Sequence, residues 1–557
     1  MKRLPIGISD YKIIISENYY FVDKTLFIQE LLCNSSAVTL MCRPRRFGKT
    51  LNLSMLRYFF EKTEVSNAQL FVDKKIWQIE DARVQQGQYP VIFISFKDVK
   101  DLTFEDARSS MAAIISNEFK RHASVLIPLL SEYDKPYYDT IVNKTTDSVL
   151  LGESLFFLSK LLHSHYNKRV IILLDEYDSP IHAAYLNNYY EKMVAFIKKL
   201  LSRLLKDNDT LERGVLTGIL RTAKEGIFSD LNNLTICTIL SDKFSDKFGF
   251  TQEEVETLLL EQNVPASIGD IKYWYNGYHA GEKILIYNPW SILNCANEHG
   301  KLMAYWVNTS GNDLIKLLIA RLDVTAKKEL EAILKGTPIA KTIEEASTFA
   351  NIDQATDMVW SLLLFSGYLT YSKRSINSYG EYECMLTLPN HEIKTLYRKI
   401  ISNIFDQAFD NSENIAIFFN ALTSGQVFIV QKLLQMFIIN NMSFHDLAYN
   451  EPEKSYHMFI LGLLVTLEKT YNVRSNRESG FGRYDIMIIP HDKSKTGIVM
   501  EFKRSDDTAL EEAAEVALLQ IQEKQYAAEL RAQGIRDIIG YGFAFSGKNV
   551  LAKSIIL

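Results

Sequence analysis

Apolar residues fall into two rhythms along the first 250 positions. Short continuous runs read as buried strands: Ala37-Val-Thr-Leu-Met-Cys42, Tyr89-Pro-Val-Ile-Phe-Ile-Ser-Phe96, the run ending at Asp175 in Arg169-Val-Ile-Ile-Leu-Leu-Asp175, and Glu212-Arg-Gly-Val-Leu-Thr-Gly-Ile-Leu220. Such runs suit parallel strands covered on both faces. Between them the spacing turns helical: 51–62, with Leu53, Leu56, Phe59 and Phe60 on one side; 103–126, stopped before Pro128; and 154–165. An aromatic strand, Tyr19-Tyr-Phe-Val-Asp-Lys-Thr25, precedes a helical run to Cys33. The alternation predicts an α/β fold, a doubly wound parallel sheet over residues 1–250, with its ligand at the carboxyl ends of the strands.

From 251 to 430 the pattern loosens into an aromatic-rich and then mainly helical connector. Thr251 with Glu254 three residues on is a capping box. Trp274-Tyr-Asn-Gly-Tyr278 and Tyr287-Asn-Pro-Trp290 interleave aromatics with Asn and Gly. That composition can stack bases, but packing of a loop-rich domain edge is the favoured reading. A β-hairpin (367–371 with 382–388) gives the connector a winged-helix-like look. Residues 431–557 differ again: a helical run (453–470), a strand from Gly482, a polar turn (490–496), a strand Gly497-Ile-Val-Met-Glu-Phe-Lys-Arg504, a long helix (509–533) and a strand from Ile538. Three domains are therefore expected, 1–250, 251–430 and 431–557.

Composition changes little in this picture. The chain has 557 residues, 47% hydrophobic and 23% charged, enough apolar material for a large core. Its net charge of −5 means that any nucleic-acid partner must be held by a local basic surface. The five cysteines are scattered, with no CxxC spacing for zinc and no disulfide framework, which fits a reducing, cytoplasmic setting. No signal-peptide core or membrane span is expected.

Two places hold chemistry. Arg43-Pro-Arg-Arg-Phe-Gly-Lys-Thr50 lies between a strand and a helix, the context of a phosphate-binding loop. Gly48 gives the turn, Lys49 reaches the β/γ-phosphates, and the Thr50 hydroxyl holds Mg²⁺. Arg43 stands where the usual motif has its first glycine. The strand ending in Asp175-Glu176 supplies the other half of a hydrolysis site: Asp175 for the Mg²⁺ shell and Glu176 to deprotonate the attacking water. Thr217 and Arg221 follow the next strand, and Arg221 can sense the γ-phosphate in cis or from a neighbour; an ordinary strand-to-loop transition reads equally well. Arg45 and Arg46 are further phosphate ligands or contributors to a neighbour's site, so a homo-oligomer is left open. Near the other end, Glu501 and Lys503 are two apart on one strand face, with Asp485 a hairpin upstream. Two carboxylates and a lysine converging on a strand pair suit a Mg²⁺ site.

These residues together resemble an arrangement of an N-terminal AAA-ATPase-like domain and a C-terminal PD-(D/E)XK nuclease-superfamily domain. The resemblance rests on Tyr20-Phe-Val-Asp-Lys-Thr25, the Arg43–Thr50 loop, Leu174-Asp-Glu-Tyr-Asp178, Thr217-Gly218 with Arg221, Trp274–Tyr278, Ser310-Gly-Asn312, Ser475–Asp485 and Glu501-Phe-Lys503. It implies ATP and Mg²⁺ as cofactors, Asp175 and Glu176 as the Walker B pair, and Asp485, Glu501 and Lys503 as nuclease residues in a restriction-endonuclease-like α/β domain. Gln520 or Gln522, with Tyr526, is similar to a helix motif of some nucleases of the superfamily, and Glu453 is a candidate additional acid. The expected function is ATP binding and hydrolysis joined to Mg²⁺-dependent cleavage of DNA. The alternative is a regulatory ATPase whose C-terminal domain only binds nucleic acid or a protein.

Overall fold

The computed structural model describes all residues except 221–232, 283, 307–314, 316–317, 320–323, 335, 346–355, 409–411, 442–455, 458–459, 462–463 and 465–469. The chain divides into two compact units, Met1–Leu322 with Glu329–Ile393, and Asp323–Lys328 with Lys394–Leu557. Among the described residues no helix is long and apolar enough to cross a membrane.

The first unit is built on five parallel strands: β1 (Val38–Cys42), β2 (Val91–Ser95), β3 (Val170–Asp175), β4 (Leu211–Gly218) and β5 (Leu234–Cys237), in the order β2-β3-β4-β1-β5. Every residue of β1 and β3 is buried, which is why both read as unbroken apolar runs. The helices Lys49–Phe60, Phe104–Arg121, Ser154–Tyr166 and Tyr190–Leu205 cover the sheet. Thr103 caps the second of these by accepting from the Asp106 N–H. Register decides what the sheet presents at its carboxyl edge. Ser95 pairs with Asp175, Met41 with Thr217 and Cys42 with Gly218, so β2, β3, β4 and β1 end at one level.

The aromatic stretch after 250 packs inside this unit. Tyr275 and Tyr287 share a buried cluster with Val255, Leu258, Ile271, Ile292 and Tyr20. The capping box forms as read, Thr251 accepting from the Glu254 N–H and Glu254 accepting from the Thr251 N–H. A short hairpin, β6 (Tyr278–Ala280) and β7 (Ile284–Ile286), follows. The 367–388 hairpin gains a third strand: β8 (Ile339–Ile343), β9 (Thr370–Ile376) and β10 (Tyr382–Thr387) form an antiparallel sheet in the order β8-β10-β9.

The second unit holds a mixed sheet in sequential order: β11 (Tyr471–Ser479), β12 (Gly482–Pro490), β13 (Gly497–Arg504), β14 (Ile538–Ser546) and β15 (Asn549–Ile556). Only β13 and β14 are parallel, joined by the helix Leu510–Glu523. One sheet face packs Ile486, Ile488, Met500, Phe502, Phe543 and Phe545 against the helices Ser412–Thr423 and Val427–Asn441. The other packs Met487 and Val499 against Ile521, Tyr526 and Leu530.

Three local expectations differ. The segment 19–25 forms no strand: the Asp23 carboxylate accepts from the Thr25 N–H (2.9 Å), the Thr25 hydroxyl (2.6 Å) and the Lys75 N–H (2.8 Å), so local side-chain bonds replace a ladder. The helix read over 509–533 ends at Glu523 and resumes only over Ala528–Ala532, with Gln525 between them at φ +52°. The strands β5, β11 and β15 were not foreseen, and all three lie at sheet edges.

Candidate functional site

The first site forms where β1 turns into the helix Lys49–Phe60. The turn needs two left-handed residues, Arg46 at φ +69° and Gly48 at φ +87°, and Gly48 occupies the helix N-cap position. Arg43 points into the protein interior. It is fully buried; its guanidinium donates to the carbonyl oxygens of Cys42 (2.9 Å), Cys237 (2.9 Å) and Phe244 (3.2 Å) and lies over the Phe248 ring. The residue in place of the usual glycine is thus a tie between the ends of β1 and β5. Arg46 points the other way, its guanidinium carbon 4.2 Å from the Trp290 ring centroid; burial lowers its pKa, and Glu176 opposes that shift.

Lys49 is buried, and its ammonium donates to the carbonyl oxygens of Arg43 and Pro44, both at 3.0 Å. Burial lowers its pKa, while Glu176, Asp178 and Asp175 oppose the shift. The Thr50 hydroxyl donates to Asp175 Oδ2 at 2.8 Å across 125 residues of sequence. Asp175 accepts two more hydroxyls, Ser95 Oγ at 3.1 Å on Oδ2 and Thr217 Oγ1 at 2.7 Å on Oδ1. Burial raises its pKa; the Thr217 and Thr50 bonds and Lys49 pull against that. The Thr217 oxygen also accepts the Glu176 N–H at 3.2 Å, so one hydroxyl registers both acids. Glu176 itself sits at φ +48°, and Ser179 Oγ donates to its Oε2 at 3.0 Å.

Sequence reasoning missed the roles of Ser95 and Asp178. Ser95 shows only as a strand-end polar residue. Asp178 is buried and accepts from the backbone N–H groups of Ile219 (2.7 Å) and Leu220 (3.0 Å), fixing the end of β4; burial raises its pKa against those bonds. His182, one helical turn on, is buried and pushed down to about 3 by desolvation, so it is neutral. Arg45, Arg46, Gly48, Lys49, Thr50 and Glu176 all border one cavity of about 540 Å³. Lys97 and Lys100 add cationic charge to it, and Ile8, Tyr20, Val22, Trp290 and Leu293 add an apolar wall. The lining thus combines cationic and apolar side chains, the usual makeup of a small-molecule site. Lys24 also borders it but is engaged with Glu254 (2.6 Å) and the Asp246 carbonyl (2.7 Å).

The second site forms at the β12–β13 pair. Ile486 pairs with Met500, so Asp485 and Glu501 are the next step of that ladder. Asp485 Oδ2 accepts from the Phe502 N–H at 2.8 Å, which ties its carboxylate to β13. Burial raises its pKa, and the Phe502 bond and Lys503 oppose this. Glu501 is buried and accepts from Lys503 Nζ at 2.9 Å and Gln520 Nε2 at 2.5 Å on the same oxygen, Oε1. Gln520 also donates to the Tyr526 hydroxyl (3.0 Å), which donates to the Arg483 carbonyl (2.8 Å). Of the two glutamines on this helix, Gln520 is bonded to Glu501 and Gln522 is exposed. His457 Nε2 lies 3.1 Å from the Asp485 carbonyl oxygen, a contact the sequence did not suggest.

The donor sets fit a hard cation at both places. At the first, a threonine hydroxyl and a carboxylate already touch; at the second, two carboxylates sit beside a lysine. Among the described residues no three His, Cys, Asp or Glu side chains form a metal cluster. Mg²⁺ tolerates that, because it keeps several waters and takes one or two protein carboxylates. Arg221, Glu453 and the Ser310-Gly-Asn312 motif lie outside the described residues.

Comparison with known proteins agrees with this division. Residues 5–228 match the model of the predicted AAA-ATPase family, and residues 451–554 match that of the PD-(D/E)XK nuclease superfamily. The chain thus has an AAA-ATPase-like domain and a C-terminal nuclease-superfamily domain. It is also similar end to end to a protein of Azotobacter chroococcum mcd 1, described as the uncharacterized protein in the vnfD 5′ region. The two are 26% identical over 572 aligned residues, which span 99% of this chain and 98% of the other.

Proposed function

We propose that this protein binds and hydrolyses ATP in its first unit and cleaves DNA with Mg²⁺ in its second. The observation that carries the ATPase reading is the convergence of Thr50, Ser95 and Thr217 on the Asp175 carboxylate, with Glu176 next to it at the edge of the cavity. Lys49 is already held at the loop by two carbonyls and exchanges them for the stronger acceptor, a phosphate oxygen. Thr50 and Asp175 hold the cation. Glu176 takes the proton of the attacking water. Arg45 and Arg46 balance phosphate charge, and Arg221 serves as the γ-phosphate sensor. The aromatic and aliphatic wall takes the base.

In the second unit Asp485 and Glu501 hold the cation. Lys503 balances the charge of Glu501 and orients the water, and Gln520 keeps the Glu501 carboxylate in place. Mg²⁺ held at either site would neutralise phosphate oxygens, and at the Asp485–Glu501 site it would also lower the pKa of a coordinated water. The protein is read as cytoplasmic, with DNA as partner and self-association of the first unit left to experiment. The domain boundaries at about 250 and 430 belong to the same proposal.

The test is cleavage of linear, circular and single-stranded DNA with Mg²⁺, with and without ATP. Lys49→Ala is expected to abolish ATP binding. Asp485→Ala is expected to keep ATP binding and lose all cleavage. Glu176→Gln is expected to bind ATP but lower its turnover about 10²–10⁴-fold, the usual worth of a positioned base. No cleavage by the wild type on any DNA, with ATP hydrolysis intact, would replace this reading by a regulatory ATPase with a C-terminal binding module.

A further inference from the structure

The turn between β11 and β12 holds an aromatic ring in solvent by unusually many bonds. Phe481 is 74% exposed. Its N–H donates to the Lys524 carbonyl at 2.8 Å. The preceding Gly480 has φ +62°, and a Cβ there would lie 2.2 Å from the Lys524 oxygen and 2.5 Å from that of Gln525. No other residue fits so close to that backbone. One position earlier, the Ser479 hydroxyl donates to the Tyr526 carbonyl (2.8 Å) and accepts the Glu529 N–H (3.3 Å). One position later, Gly482 lies against the Tyr526 ring. The helix break at Gln525 is what brings these carbonyls to the turn. These bonds fix the backbone of the turn, and an apolar ring that a fixed turn carries out into water gains nothing for folding.

Its surroundings are cationic. Arg477, Arg483 and Lys524 are exposed around it, and among the described residues none of the three pairs with a carboxylate side chain. Within 474–484 the only acid is Glu478, which faces Arg483 across the ladder. Arg477–Tyr484 and Glu478–Arg483 are successive pairs of the ladder, so Arg477 and Arg483 lie on opposite faces of the hairpin and put positive charge on both sides of the turn in a chain of net charge −5. The turn is also tied to the second site. The Tyr526 hydroxyl joins the Arg483 carbonyl to Gln520, and Gln520 holds Glu501.

We propose that this turn is a nucleic-acid contact in which Phe481 stacks on an unpaired base and Arg477, Arg483 and Lys524 hold the flanking phosphates, a role that rests on the nuclease reading of the Asp485–Glu501 site. A ring carried on a fixed turn and flanked by cations needs no backbone ordering to stack, and every base has a face to offer it. The contact therefore favours single-stranded or frayed ends over closed duplex, without strong sequence preference.

The experiment is fluorescence anisotropy of a labelled oligothymidine with the full-length protein carrying Asp485→Asn, so that the probe is not consumed. Parallel cleavage assays use the same changes in the wild-type background, and melting curves control for folding. Phe481→Ala and Phe481→Leu are each expected to weaken binding about 5- to 100-fold, and Phe481→Trp to preserve it. Arg477→Gln and Arg483→Gln are each expected to reduce the salt slope of log K by about 0.7. Tight binding and cleavage with Phe481→Ala unchanged would overturn the proposal and leave the nuclease reading standing. A Phe481→Leu variant equal to wild type would also overturn it, because apolar contact without stacking would then suffice. A wild type that neither binds nor cleaves any nucleic acid would overturn both.

Discussion

At the scale of single residues, Arg43 shows how a departure from a motif can be structural. Its guanidinium is buried and donates to three carbonyls on three separate segments. Replacing it by the motif's usual glycine would leave those carbonyls without donors and open a cavity. Charge-assisted bonds of this kind are worth about 1.5–3 kcal/mol each. Arg43→Gly is therefore expected to cost at least about 3 kcal/mol in chemical denaturation and to weaken ATP binding rather than improve it. A variant of wild-type stability with tighter ATP binding would show that the arginine serves the ligand instead. The sequence marked this position as unusual but could not reveal its partners, since Cys237 and Phe244 lie about two hundred residues away. The legible residues were those whose role is set by strand position. Asp175 and Thr217 lie at or beside the ends of buried runs, and the runs themselves are plain in the sequence.

Among the elements, the helix His391–Ala408 begins with a buried acid. Glu392 accepts from Ser291 Oγ on the helix Pro289–Asn297 (2.7 Å) and from the Trp306 N–H (2.7 Å). Burial pushes its pKa up from 4.5 to about 7, against those bonds. The sign of the effect follows from proton counting. Between pH 4.5 and about 7 the folded form holds a proton that the unfolded form has lost, so stability falls as pH rises through that window. The full shift corresponds to about 3 kcal/mol. Glu392→Gln is expected to flatten the pH dependence of denaturation between pH 4.5 and about 7, while keeping an acceptor for the Trp306 N–H. Parallel stability profiles for the two proteins would sink the assignment. Element identity was legible where period and caps agreed, as with the helix starting at Thr251. It failed where one local bond decided the matter: Asp23 replaces a strand by a capped turn, and a single left-handed Gln525 splits a helix whose apolar spacing runs on. The edge strand β11 was illegible because Tyr471-Asn-Val-Arg-Ser-Asn-Arg-Glu-Ser479 has almost no apolar alternation to read.

For the whole molecule, the chain places its two candidate sites in two units, each with its own sheet and core. That division was legible because each motif sits in its own strand–helix frame. The aromatics after 250, read as packing residues, do pack: Tyr275 and Tyr287 fill a core cluster of the first unit. The separation has a thermodynamic consequence. A ligand stabilises the part that binds it by RT ln(1 + [L]/Kd), about 2.7 kcal/mol at a hundredfold excess over Kd. ATP with Mg²⁺ is expected to raise the transition that reports the first unit, and Lys49→Ala to abolish that rise. Mg²⁺ alone is expected to raise the transition of the second unit, and Asp485→Asn to abolish that one while leaving the ATP effect intact. Calorimetry on the two variants separates four outcomes with one instrument. If Asp485→Asn also removed the ATP-dependent rise, the two sites would share one folding equilibrium, and nucleotide binding would act on the nuclease site through stability rather than through contact.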